Sequence, residues 1–354
     1  MSGEYIFLNK FAGLEEYNDL FEPHQDYQSF VRFFETGIID RTETLDLGFK
    51  YSVLDPIPNH STFEESFDSI MKQRAHECVS LAQKTGRKIS VLWSGGIDST
   101  GVLLALIDIL GIEAFRNNAE ILLSQESTKE FPELFKFIIQ NKLKIIPVTH
   151  PVSRYLNSNN LNISGEHGDQ LFGSDKMLTY VESGLGEIKY QDIIPVLMMD
   201  KLGKAKKVDA LFNYIEPVMN KAPFRVDTIC DYLWWVNFVF KWQQVSLRIA
   251  VWSIDSIKPI YESLFHFYRS DEFQKWSLNQ KGKNPNHINL YKKPLKDHIQ
   301  HHFDCERYLE SKTKEISLRP KGEKKFWHLN RNKWAFIIDT DWHLSRRQIV
   351  NEIY

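Results

Sequence analysis

Cysteine is scarce in this chain. Three residues, Cys78, Cys230 and Cys305, are scattered over 354 positions, and no CxxC pair occurs. A zinc knuckle, a dithiol redox site and a disulfide scaffold therefore lack sequence support, and isolated thiols fit a reducing compartment. Long apolar runs are lacking too. The richest stretches, around Val102–Leu110 and Tyr232–Trp242, fall short of the roughly 20 residues that a membrane helix needs. The opening residues, MSGEYIFLNKFAGLEEY, have neither a basic leader nor an apolar segment of secretory-signal length. A cytoplasmic location with no membrane partner is the expectation. An excess of either charge is also missing: the formal net charge is −2, so overall electrostatics recommend no partner. The exception is Lys312–Arg347, where Arg319, Lys321, Lys324, Lys325, Arg331 and Lys333 give a positive balance. Internal repeats and low-complexity tracts are absent.

What remains is globular composition, 42% hydrophobic and 25% charged, enough for a core without metal or disulfide staples. The length suggests a large domain with appendages, divided as an aromatic-rich segment 1–62, a central domain 63–310 and a basic extension 311–354. The first segment ends in the turn-prone run Asp55-Pro56-Ile57-Pro58-Asn59-His60. Phe63, Phe67, Ile70, Ala75, Val79 and Ala82 then recur at helical spacing and predict a helix over 63–84. Ser61 or Thr62 would cap it, with Glu65 as capping-box partner of Thr62. Strands are predicted at 88–93, 121–124, 143–148 and 161–163, with helices at 98–110 and 129–141 between them. This alternation argues for an α/β fold, a parallel twisted sheet with helices on both faces. From about 185 to 305 the pattern is mostly helical, notably 228–251, so the C-terminal half is expected to be largely helical. Trp334–Asp339 is a late β-like run.

Two loops carry the chemistry. Ser94-Gly95-Gly96-Ile97-Asp98-Ser99-Thr100 joins a predicted buried strand directly to a helix. The unpaired first-turn N–H groups and the helix dipole favour a phosphate there. Two glycines let the backbone close around an anion, and Ser94, Ser99 and Thr100 add hydroxyls. Asp98 would repel phosphate unless a cation such as Mg²⁺ lies between them. The Walker A spacing and its Gly-Lys-Ser/Thr ending are missing. The second loop, Ser164-Gly165-Glu166-His167-Gly168-Asp169-Gln170-Leu171-Phe172-Gly173, also follows a short strand and leads towards a helix. By itself it reads as a solvated turn.

Taken together, the loops resemble the SGGxDS and GExxDxxFGG motifs of the synthetase domain of asparagine synthetase and β-lactam synthetase. These belong to the PP-loop ATP pyrophosphatases, with the adenine nucleotide α-hydrolase-like fold. Ser174 stands where the family has its last glycine. The resemblance spans about 63–310. It implies that Asp98 and Asp169 hold Mg²⁺, that Ser94, Gly95, Gly96 and Ser99 hold the pyrophosphate end of ATP, and that Leu92, Ser164 and Gly165 contact the nucleoside. Glu166 falls on the catalytic acid–base position. Lys292-Lys293-Pro294-Leu295-Lys296 matches the family's Lys-x-x-Leu-Arg, with Lys292 as the catalytic lysine and Lys296 departing from arginine. Lys258-Pro259-Ile260-Tyr261-Glu262 only weakly echoes the family's Arg-Val-Pro-Phe-Leu-Asp, with Arg248 ten residues upstream.

The implied activity is an ATP-dependent carbon–nitrogen ligase that adenylates a small-molecule carboxylate, releases AMP and pyrophosphate, and passes the acyl group to ammonia or an amine. Residue 2 is Ser, and no cysteine precedes Cys78, so a glutamine amidotransferase domain with its cysteine nucleophile is not expected. Ammonia would come free or from a separate glutaminase, unless the substrate supplies its own amine. The aromatic run 232–242 could line the acceptor pocket, but tryptophans in such numbers are more often core. Two rival readings remain. One is a PP-loop enzyme acting on a nucleobase or nucleic acid through its basic tail, which reads more simply as solvated surface. The other is a non-catalytic ATP-binding relative, against which three retained carboxylates argue.

Overall fold

The computed structural model of the chain describes residues 3–14, 21–59, 62–283, 291–305, 308, 315 and 334–348. Ser61 and the basic residues Arg319, Lys321, Lys324, Lys325, Arg331 and Lys333 lie outside them. β1 (Tyr5–Leu8) and α1 (Gln25–Phe34) come first, followed by α2 (Phe67–Thr85). α2 starts later than predicted because Ser66 is its cap: the Ser66 hydroxyl accepts from the Ser69 amide. β2 (Ile89–Leu92) leads into α3 (Ile97–Asn118), whose helical geometry breaks at Gly111, one residue past the predicted end. β3 (Ala119–Leu123), α4 (Gln125–Glu130), α5 (Pro132–Gln140), β4 (Ile145–Pro147) and β5 (Leu161–Ser164) follow. One helix was expected over 129–141. Two form, because Pro132 has no N–H to continue α4 but suits the first turn of α5.

The helical stretch contains α6 (Gly168–Phe172), α7 (Asp175–Glu182), α8 (Tyr190–Leu202), α9 (Ala205–Met219), α10 (Ile229–Phe240), α11 (Trp242–Leu247) and α12 (Ile257–Ser263). Within it hides β6 (Leu264–His266), too short to show a period of two in the sequence. α13 (Asp271–Lys283), α14 (Lys293–His302), β7 (Trp334–Asp339) and β8 (Leu344–Gln348) complete the order.

Five strands form an all-parallel sheet in the order β4-β3-β2-β5-β6, an α/β arrangement compatible with a Rossmann-like fold. Alternation along the strands splits the core in two. Ile89, Val91, Ile121 and Ile163 pack with α2, α3 and α5 residues such as Ile70, Leu103 and Leu134. Leu92, Leu122 and Leu264 face the other way, against Leu247, Ile257 and Ile260. The sheet is thus covered by helices on both faces. The chain runs outward from β2 to β4 and then returns to place β5 beside β2. At that reversal the loops after β2 and β5 leave adjacent carboxyl ends, where open α/β sheets bind ligands.

The terminal segments are built into one body with this sheet. β1 pairs antiparallel with β7, and β7 with β8. Gln243 of α11 donates to Ile6 O and Ser52 O, and Gln244 donates to Leu8 O. Arg41 is buried (4% exposed). It donates to the carbonyls of Asp55 and Phe238 and to Gln274 Oε1, and its guanidinium lies over the Trp242 ring. Removing Arg41 takes the donor from these acceptors and from the Pro56 carbonyl. Arg41→Ala is expected to lower unfolding free energy by about 3 kcal/mol in urea titrations.

Candidate active site

Glycines set how closely three segments approach. A Cβ on Gly165 would lie 2.8 Å from the Ser99 amide nitrogen, and one on Gly168 would collide with the Asp98 carboxylate. The second loop can therefore lie directly on the first only with glycine at both places. A Cβ on Gly101, inside α3, would collide with Leu295 of α14. That contact sets α14 against α3, and the residue before α14 is Lys292. Lys292 adopts φ 53°, a left-handed conformation uncommon for a residue with a side chain.

The result is a convergence of charge. Lys292 Nζ lies 2.6 Å from Asp98 Oδ2 and 2.7 Å from Asp169 Oδ1. Lys292 is buried, with 7% of its surface exposed. Burial opposes its charge, but attraction by Asp169 and then Asp98 outweighs burial and holds its pKa well above the usual lysine value. Tyr268, which follows β6, donates its hydroxyl to the Asp98 carbonyl at 3.0 Å and fixes the start of α3 from behind.

Hydrogen bonds within the first loop hold its shape. The Ser94 amide donates to Ser99 Oγ, the Ser99 hydroxyl donates to the Gly96 carbonyl, and the Gly96 amide donates to Ser94 Oγ. Gly95 has φ 83°, and a Cβ there would lie 2.6 Å from the Ser127 carbonyl, so only glycine fits. Tyr308 donates to the Gly95 carbonyl at 2.7 Å while its ring stacks on Phe131. Gly96 caps α3 without a side-chain hydrogen bond among the described residues, which leaves the positive end of a long helix to a ligand. Leu92 is buried in the core beneath the sheet. Any contact it makes with a ligand at the strand end is through its backbone.

Glu166 is the second loop's other acid, and its Oε2 is in contact with Arg248 Nη2 at the end of α11. His167 is buried with φ 76° and places its Nε2 near Ser246 Oγ (2.9 Å) and the Trp242 carbonyl. Below it, Ser164 Oγ lies 2.7 Å from His266 Nδ1, while His266 Nε2 faces the Ser246 carbonyl at 2.9 Å. A carbonyl can only accept, so His266 Nε2 carries the proton and its Nδ1 accepts from Ser164. Asp55 anchors this layer through a bidentate pair with Arg269 and a bond from Trp242 Nε1.

Asp98, Glu166, Asp169 and Lys292 are thus gathered at the switch point, with Ser94, Gly95, Gly96, Ser99, Ser164 and Gly165 around them. The weak echo at Lys258–Glu262 is not: it lies on α12, where Lys258 and Glu262 face each other 4.0 Å apart, both more than half exposed. Tyr232, Trp234, Trp235 and Trp242 are core rather than pocket. Trp234 Nε1 donates to the Leu171 carbonyl and so holds α6. Sequence reasoning missed Tyr268, Tyr308 and the pairing of Arg248, because none falls in a motif. No helix among the described residues is long and apolar enough to cross a membrane. No family model matches the chain, and no curated protein does.

Two predictions follow from this geometry. Lys292→Ala leaves two carboxylates facing each other. Asp169 is 43% exposed, which tempers the cost to about 2 kcal/mol. Urea unfolding should show that loss in EDTA and a partial recovery when Mg²⁺ is added. The second concerns pH. Burial, then the Arg269 charge, pushes His266 down to about 3, and burial, then the His266 charge, holds His167 well below the usual value. Both stay neutral in the fold but gain a proton in the unfolded chain below pH ~6.5. The unfolded state then binds more protons, so stability is complete above that pH and falls as pH drops towards 3. The expected slope is up to about 1.4 kcal/mol per pH unit for each histidine, and His266→Asn should remove one share.

Proposed function

We propose that this protein is an ATP-dependent, AMP-forming carbon–nitrogen ligase of the asparagine synthetase-like PP-loop class, with an adenine nucleotide α-hydrolase-like central domain. One observation carries the reading: the carboxylates of Asp98 and Asp169 converge on one ammonium beside a Gly-Gly turn at a helix N-terminus. Two hard oxygen donors held close together, Asp98 and Asp169, are the kind of ligands that would hold a divalent cation. Mg²⁺ at Asp98 and Asp169, when bound, supplies charge neutralisation on the phosphates.

In this reading the acyl donor's carboxylate oxygen displaces pyrophosphate from the α-phosphorus of ATP. Ser94, Gly95, Gly96 and Ser99 receive the pyrophosphate at the start of α3, and Ser164 and Gly165 lie along the nucleoside beside the end of β2. Lys292 stabilises charge that develops on the phosphates as the P–O bond breaks. Glu166 accepts the proton of the incoming amine as its nitrogen bonds to the acyl carbon and AMP departs. Holding the reactants in register accounts for most of the acceleration.

The test is product analysis with Mg-ATP, ammonium and a pool of carboxylates. AMP and pyrophosphate are expected, with Asp98→Ala reducing turnover by about 10³-fold or more. Glu166→Gln is expected to spare pyrophosphate release while slowing amide formation. ADP and phosphate as products would overturn the proposal, and tight Mg-ATP binding without turnover by any pool member would favour a non-catalytic relative.

A further inference from the structure

One peptide unit of the first loop, that between Gly95 and Gly96, is flanked by glycine on both sides. Neither residue has a Cβ, so the torsions on either side tolerate the unit's turning over, which exchanges the directions of its carbonyl and its N–H. The two orientations differ in chemistry, because the carbonyl and N–H of a trans peptide point opposite ways. Here the Gly96 N–H points to Ser94 Oγ, 3.3 Å away, and Ser94 Oγ lies 2.9 Å from Ser99 Oγ. The Gly95 carbonyl instead meets the Tyr308 hydroxyl at 2.7 Å. Turned over, the unit would set a carbonyl oxygen towards the serine hydroxyls, where an anion needs donors. Negative charge already borders this turn. Asp98 stands in the first turn of α3, and a Cβ on Gly96 would lie 3.6 Å from Glu130 Oε1.

Tyr308 is both placed and oriented to hold the present arrangement. Its ring is buried and stacks on Phe131, with centroids 3.6 Å apart and planes 5° from parallel. Phe131 is itself buried at the junction of α4 and α5. The direction of the hydroxyl follows from its neighbours. Trp93 Nε1 can only donate, and it donates to Thr100 Oγ1 at 3.0 Å. The Thr100 hydroxyl is then left to bond to Tyr308, whose own proton goes to the Gly95 carbonyl. Burial pushes the phenol above the usual tyrosine pKa, so the donor keeps its proton. Glu315, further along, also reaches this corner, its amide donating to Glu130 Oε2 at 3.1 Å.

We propose that Tyr308 is a positioning residue for the anion-binding turn: its hydroxyl locks the Gly95–Gly96 peptide with the carbonyl outward and the N–H inward, and so readies the first loop for the pyrophosphate end of a nucleotide. The role is indirect, through backbone rather than substrate. It rests on the ligase reading in taking pyrophosphate as the anion of this loop. Without the hydroxyl, both peptide orientations are populated and only one offers the N–H. The apparent affinity for the anion then falls in proportion to the competent fraction. Contacts to the nucleoside, at Ser164 and Gly165, do not depend on this peptide.

The test is Tyr308→Phe, which keeps a ring on Phe131 and removes only the hydroxyl. Isothermal titration of the full-length protein with inorganic pyrophosphate and, separately, with AMP, both in Mg²⁺, reads the two halves of the site. Pyrophosphate affinity should fall about fivefold, the net worth of one hydrogen bond, while AMP affinity stays as in the wild type. A purely structural Tyr308 would weaken both ligands together. A cooperative urea transition reports that the variant is folded. Pyrophosphate affinity unchanged in Tyr308→Phe, or an equal loss for AMP, would overturn the proposal. Wild-type protein that binds no pyrophosphate would overturn it together with the reading of the first loop. Pyrophosphate binding that depends on Tyr308, in a protein that releases no AMP from ATP, would sink the ligase reading alone and leave the positioning role standing.

Discussion

The arrangement depends on one ammonium buried between two carboxylates. Asp98 sits in the first turn of α3, Asp169 in the first turn of α6, and Lys292 at the start of α14. Without a cation, Asp98 and Asp169 would repel each other at close range in a partly desolvated place. With Lys292 between them, three elements far apart in sequence are drawn to one point. The lysine's left-handed backbone is the local cost of aiming its side chain there.

That convergence is possible only because bulk has been removed along its path. Gly165 and Gly168 let the second loop lie on the first, and Gly101 lets Leu295 approach α3. The supporting layer is polar, and all but His167 Nδ1 of its ring nitrogens have a hydrogen-bond partner. Ser164, His266, Ser246 and His167 hand hydrogen bonds to one another beneath the loop, and Asp55 with Arg269 closes the layer on the far side. Asp55 comes from the segment that the sequence divides off as 1–62. Together with Arg41 and β1, it makes that segment part of the support for the central domain's loops.

The charges divide into two groups. Around the Gly-Gly turn the negative side is in excess, with the carboxylates of Asp98 and Asp169 against the one ammonium of Lys292. Glu166 instead meets one guanidinium, that of Arg248, in a one-to-one pair.

The sequence determined the local parts of this protein. Strand–turn–helix boundaries around Ser94–Thr100 and Ser164–Gly173 were readable because glycine placement, hydroxyl caps and a buried strand are short-range signals. So was the position of Lys292. The break at Pro132 was not: the apolar period runs on through it, and one helix was expected where α4 and α5 form. Tertiary structure decided what depends on distant partners. β6 exists because Leu264–His266 found the open edge of β5, not because three residues prefer a strand. Tryptophans that could equally have lined a pocket became the core, since burial is settled by what packs opposite. Arg248 met Glu166, and the first segment met α11, through contacts between residues far apart in the sequence. Side-chain periodicity reports which face of an element is apolar, but only the assembled fold reports what that face, or a charge at its end, will meet.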